Sequence, residues 1–217
     1  KQNQLPVDVF HGVQEKILSA RKKNEPSTEA LSTLVSFFKS KQNLEAEKLA
    51  KSLILSHPKH VLAWEILAVL FGGSGRLKEA LPYFEKVVLL KPNDPDAINN
   101  LGITLQKMGK FNEAATQFRV ALDLKPEFAE AANNLGITFE KLGDFPQARL
   151  WLEKSTLLNQ NNADFHNNLA GVLRELESLE LAKLSHEKAV ALDPSRGLLH
   201  NNFGVTLKKM NRTTEAL

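Results

Sequence analysis

At 217 residues, 42% hydrophobic and 24% charged, the chain is long and apolar enough to bury a substantial core. It contains no cysteine, which excludes a disulfide framework, a thiolate nucleophile and a cysteine-ligated zinc. A net charge of +3 with acidic residues interspersed throughout gives no footprint for nucleic acid, and no apolar run reaches the length of a membrane helix. The opening Lys1 to Pro6 has no signal-peptide pattern, so a cytoplasmic location is expected.

The first predicted element is a helix over residues 7–23, with Val9, Phe10, Val13, Ile17 and Leu18 on one face. Residues 1–26 are expected to form an N-terminal cap or a degenerate repeat, linked through Asn24 to Ser27. From residue 27 onward the chain repeats itself. Pro58, Pro92, Pro126 and Pro194 keep a 34-residue step, with Gln160 filling the vacant place. Ala46, Ala80, Ala114, Ala148, Ala182 and Ala216 keep the same step, as do Ala68, Gly102, Gly136, Ala170 and Gly204.

Each unit reads as two antiparallel helices. In residues 95–128, Ile98, Leu101, Gly102 and Leu105 form one apolar stripe at helical spacing. Met108-Gly109-Lys110 breaks it, and Ala114, Phe118, Ala121 and Leu122 resume it until Pro126, whose preceding residue avoids helix. One such pair cannot cover its own apolar faces, so successive pairs must stack. Units are expected at 27–60, 61–94, 95–128, 129–162 and 163–196, with a partial unit over 197–217. Because the last unit breaks off inside its second helix, the protein is expected to continue, or the open end to be covered by another chain.

The pattern of Trp64, Leu67, Ala68, Phe71, Gly75, Ala80, Phe84 and Pro92 resembles the tetratricopeptide-repeat signature. The resemblance is strong over 61–217 and weaker over 27–60, which keeps Phe37, Ala46 and Pro58 but has Thr33-Leu34 where Leu-Gly is usual. It implies an all-α, right-handed superhelical solenoid of antiparallel helix pairs, in which the first helix of each pair lines the concave face. On that helix, unit positions 2, 6, 9 and 13 share one stripe, with position 5 beside it.

Position 6 carries Asn100, Asn134, Asn168 and Asn202, each preceded by Asn99, Asn133, Asn167 or Asn201 at position 5. Asn is a poor residue inside a helix, so its return at one register needs a compensation. A carboxamide offers one acceptor and two donors and so matches the C=O and N–H of a peptide bond. The row resembles the asparagine ladder in the repeat region of the O-linked N-acetylglucosamine transferases. That resemblance implies that position 6 makes the main contacts to an extended peptide. A ladder in which the amides bond only to each other and to water is the competing reading. Ser32 and Ile66 interrupt the row, so it is expected to begin near residue 99.

Ile103 and Ile137 at position 9 would offer an apolar strip, and Lys107 and Lys141 at position 13 would favour acidic ligands, with Asp96, Glu130, Asp164 and Glu175 opposing them. The carboxylate-gripping mode of the family is not expected, because apolar residues replace its position 9 Asn. His166 and His200 occupy the place of Trp64 and are expected to pack inward between paired helices, with no zinc-ligand partners at suitable spacing. Gly72-Gly73-Ser74-Gly75 lacks the Lys-Ser/Thr of a phosphate loop, and Asn211-Arg-Thr213 matches a glycosylation acceptor only incidentally. No catalytic residue, metal or cofactor is expected. The function implied is a non-enzymatic scaffold for a protein or peptide. Its alternatives are the substrate-recruiting arm of a larger glycosyl- or sulfotransferase and a module that self-associates through its repeat ends.

Overall fold

The computed structural model describes residues 25–210. Among them are eleven helices and no strand, and they divide into two compact units, one up to residue 90 and one from residue 91. The predicted helix over 7–23 and the Asn211-Arg-Thr213 motif lie outside the described residues.

The first unit contains α1 (Thr28–Lys39), α2 (Asn43–Ser56), α3 (Val61–Gly73) and α4 (Leu77–Leu90). The second contains α5 (Pro95–Lys107), α6 (Phe111–Leu124), α7 (Ala129–Lys141), α8 (Phe145–Leu158), α9 (Ala163–Glu175), α10 (Leu179–Leu192) and α11 (Gly197–Lys209). Within each unit consecutive helices pack together, and in the second unit α5, α7, α9 and α11 also touch in succession. The connections are short, as antiparallel neighbours require.

The turn inside each pair needs a left-handed residue at position 15. Gly75, Gly109 and Gly143 supply it at φ +76°, +77° and +77°, and Lys41 and Glu177 adopt the same conformation in the pairs that lack glycine there. The second helices end at Ser56, Leu90, Leu124, Leu158 and Leu192, all at one register. Because α8 stops on time before Gln160, proline is not what ends them. Asp94, Asp144 and Asn162 cap the helices that follow them by accepting backbone N–H bonds.

The pairs are drawn together through small residues. Ala46, Ala80, Ala114, Ala148 and Ala182 are wholly buried, as are Ala68 and Ala170. A Cβ placed on Gly136 would meet Leu152 Cγ at 2.6 Å and the Ala148 carbonyl oxygen at 3.1 Å; on Gly102 it would meet the Phe118 ring at 2.6 Å. Large side chains fill the remaining space, among them Phe118, Leu135, Leu152 and Leu199. In the first unit Tyr83 stacks on Phe71 with centroids 5.3 Å apart and tilts against Trp64 at 5.9 Å.

The expectation for His166 and His200 needs correction. His200 is exposed and His166 half-buried. Nε2 of His166 lies 3.0 Å from the Gln160 carbonyl and Nε2 of His200 lies 2.9 Å from that of Pro194, just as Trp64 Nε1 donates to Pro58 at 3.0 Å. A ring N–H at this position has an interhelical carbonyl six residues upstream as its partner, and that bond holds the ring at the turn. Among the described residues the histidine that is buried is His186, 1% exposed, at the register of Phe84, Phe118 and Leu152. Neither of its nitrogens has a hydrogen-bond partner, and its ring centroid lies 6.0 Å from that of Phe203.

Two results are expected. Gly136→Ala should lose roughly 1–3 kcal/mol through overpacking against Leu152. Gly171→Ala, in a helix interior with nothing within 4 Å of its would-be Cβ, should gain about 0.5–1 kcal/mol; urea titration of both variants reads the opposite signs. Burial, reinforced by the positive charge of Arg174, pushes the His186 imidazole down to about 4 from its ordinary 6.5. The folded state therefore favours the neutral ring: its stability is whole above pH 6.5 and declines as pH falls toward 4. Between pH 7.5 and 4.5 this loss should come to roughly 2–3 kcal/mol, and the stability of a His186→Leu variant, measured at both pH values, should fall by that much less.

Candidate functional site

The site is built on the first helices of the second unit, α5, α7, α9 and α11. Positions 2, 6, 9 and 13 lie on one face of each because steps of three and four residues nearly complete a helical turn. At position 6 Asn100 is exposed, while Asn134, Asn168 and Asn202 are half-buried. At position 5 Asn99 and Asn133 are buried, 6% and 7% exposed, Asn167 is half-buried and Asn201 is exposed.

The two rows are joined across repeats. Asn134 Nδ2 donates to Asn99 Oδ1 at 3.2 Å, Asn168 Nδ2 to Asn133 Oδ1 at 3.0 Å, and Asn202 Nδ2 to Asn167 Oδ1 at 3.0 Å. Asn99, Asn133 and Asn167 each therefore receive the position 6 amide of the following first helix. Burial without these bonds would cost about 1–3 kcal/mol per group, so the pairs also satisfy the polar atoms that the stack encloses. The bonds leave each position 6 amide with its Oδ1 and its second N–H, and among the described residues no protein group takes up either. Asn100 makes no side-chain bond there at all.

A second brace was not signalled by the repeat pattern. Gln106 Nε2 donates to the Asn134 carbonyl at 3.1 Å and to Thr138 Oγ1 at 2.8 Å, tying α5 to α7. Position 12 holds Gln106, Glu140, Arg174 and Lys208, so periodicity gives no cue to it. Thr104 and Thr138, both buried, donate back to the carbonyls of Asn100 and Asn134 at 3.0 and 2.7 Å.

Around the amides, Ile103 and Ile137 are half-buried at position 9, whereas Val205 is exposed. Lys107 and Lys141 are exposed at position 13, and Asp96 and Glu130 are exposed at position 2. The third and fourth helices differ: Asp164 pairs with Arg196 at 2.8 Å, and Lys209 pairs with Glu177 at 2.7 Å and donates to the Arg174 carbonyl at 3.2 Å. In the first unit Ile66, at position 6, is buried. Among the described residues no helix is long and apolar enough to cross a membrane, and no group of three His, Asp or Glu side chains is placed to hold a metal ion.

Known proteins agree with this architecture. The chain resembles the solved structures of PilF from Pseudomonas aeruginosa (TM-score 0.73, 19% identity, covering 87% of this chain and 86% of that one) and of MamA residues 41 to the end from Desulfovibrio magneticus RS-1 (TM-score 0.66, 24% identity, 72% and 88%). It also resembles YrrB, described as a TPR protein with an unusual peptide-binding site (TM-score 0.62, 21% identity, 77% and 87%). At these identities the likeness is one of fold. No curated protein sequence is similar enough to count as a relative. The tetratricopeptide-repeat family model matches residues 35–98 and 99–157, more than half of the sequence. With paired helices at a 34-residue step and that match, the chain belongs to the tetratricopeptide-repeat family, whose fold is a protein–protein interaction scaffold.

Proposed function

We propose that this chain is a non-catalytic scaffold that holds an extended segment of a partner protein along the amide row of α5, α7, α9 and α11. The observation that carries the reading is the division of labour in the ladder. Asn99, Asn133 and Asn167 anchor the following position 6 amides, and each of those keeps one acceptor and one donor. That is the complement of a peptide group, offered by side chains whose rotamers the ladder already restricts. Preorganisation of this kind lowers the entropy lost on binding. The isoleucines at position 9 add apolar contact beside the amides.

The interrepeat bonds also favour a second reading, in which the ladder exists to join helix pairs. Whether the scaffold stands alone, recruits substrates to a transferase, or self-associates through its repeat ends is a further proposal in each case; the groove would serve the first two alike.

A peptide array separates the groove from a purely structural ladder. The variant Asn100→Ala, Asn134→Ala, Asn168→Ala, Asn202→Ala is expected to lose stability, because Asn99, Asn133 and Asn167 lose their donors, to stay helical by circular dichroism, and to lose at least about tenfold in affinity, since each net hydrogen bond contributes roughly 0.5–1.5 kcal/mol. A folded variant that binds the same peptides equally well would leave the ladder as a structural joint only.

A further inference from the structure

The face of α5 and α7 is banded in charge, and the bands do not follow from helix stability alone. From one end of these helices to the other come a carboxylate at position 2 (Asp96, Glu130), an amide at position 6, an isoleucine at position 9 and an ammonium at position 13 (Lys107, Lys141). Eleven residues separate positions 2 and 13, about 16 Å of helix. An acidic edge and a basic edge therefore flank the amide and isoleucine floor. All four charged side chains are exposed. Asp96, Glu130 and Lys107 make no ion pair among the described residues, and Lys141 has only its neighbour Glu140, at 4.0 Å.

The helix macrodipole favours acid at an N-terminus and base at a C-terminus, so it could account for such bands on any helix. It does not account for their distribution. The second helices α2, α4, α6, α8 and α10 carry no basic residue in the last turn, whereas α5, α7, α9 and α11 all do. The basic edge belongs to the groove side of the pairs. Beyond α7 the bands break, because position 13 of α9 is Glu175 and position 2 of α11 is Leu198, and the band residues that remain, Asp164 and Lys209, are paired with Arg196 and Glu177.

Neighbouring packed helices lie about 8–10 Å apart. A polyproline II segment advances about 9.3 Å in three residues, so a chain crossing α5 and α7 shows the same face to each at every third residue. Its side chains leave the axis in three directions. One meets the floor at Ile103 or Ile137, and the other two meet opposite edges.

Resting on the groove reading above, we propose that α5 and α7 select an extended segment with three-residue periodicity, in which each triplet brings one basic side chain to Asp96 or Glu130, one acidic side chain to Lys107 or Lys141, and one apolar side chain to the floor.

Fluorescein-labelled twelve-residue peptides test this by anisotropy: Lys-Glu-Val triplets, Lys-Lys-Val triplets, Glu-Glu-Val triplets and uncharged Gln-Gln-Val triplets. The wild type is expected to bind the mixed peptide about tenfold more tightly than the uncharged one at low salt, and more tightly than either single-sign peptide. High salt should erase the advantage. The variant Asp96→Lys, Glu130→Lys should shift the preference to Glu-Glu-Val, and Lys107→Glu, Lys141→Glu should shift it to Lys-Lys-Val, with circular dichroism confirming that both remain helical. Equal binding of the mixed and uncharged peptides by the wild type would overturn the charge inference and leave the amide groove standing. An unchanged ranking in the edge variants would do the same. No binding of any triplet peptide also overturns it, with the array result deciding the groove separately.

Discussion

Close approach of the two helices within each pair is the constraint on which the rest of this molecule depends. Gly102 and Gly136 have no room for a Cβ against Phe118 and Leu152, and the alanines at 80, 114, 148 and 182 are wholly buried. With the helices drawn this near, a large side chain at position 24 closes the pair, and the remaining apolar faces can be covered only by the next pair. Stacking follows from that shortage of cover rather than from any strong bond between repeats. His186 takes the same position in the α9–α10 pair, so it combines a core location with two unpartnered nitrogens.

Stacking brings polar as well as apolar groups together. Adjacent first helices in the second unit lie near enough for the amides of one to reach those of the next, and the ladder uses this nearness. The usual objection to Asn within a helix is that its side chain competes for the backbone. Here the amides of Asn134, Asn168 and Asn202 are engaged with another helix, and the carbonyls at Asn100 and Asn134 receive threonine hydroxyls instead. A buried amide and an exposed amide side by side serve different ends. The inner one satisfies the stack, and the outer one is held with hydrogen-bonding capacity to spare.

Much of the architecture was legible beforehand because the repeat tests itself. The helix pairs, their turns at Gly75 and Gly109, and the register of the small residues reappear at the expected step. The proline series was a weaker guide than it looked, since α8 ends in register at Leu158 without one. Position 4 misled, because hydrophobic periodicity assigns His166 and His200 to the inside, while a ring N–H follows its hydrogen-bond acceptor to the turn. Gln106 was illegible for a different reason: a brace made once leaves no periodic trace.

For the candidate site, the sequence by itself determined which residue types recur on the face of the first helices, because a 34-residue period and a 3.6-residue turn leave no freedom in that assignment. It could not apportion their roles. Asn99 and Asn100 are adjacent in the chain and alike in chemistry, yet one is buried and the other exposed. What separates them is the packing of the stack, which covers Asn99 and leaves Asn100 in the open. That distinction, like the difference between the unspent charges of α5 and α7 and the paired ones beyond, depends on distances between repeats. Only the tertiary structure decides such distances, because they are set by how closely one helix pair settles on the next.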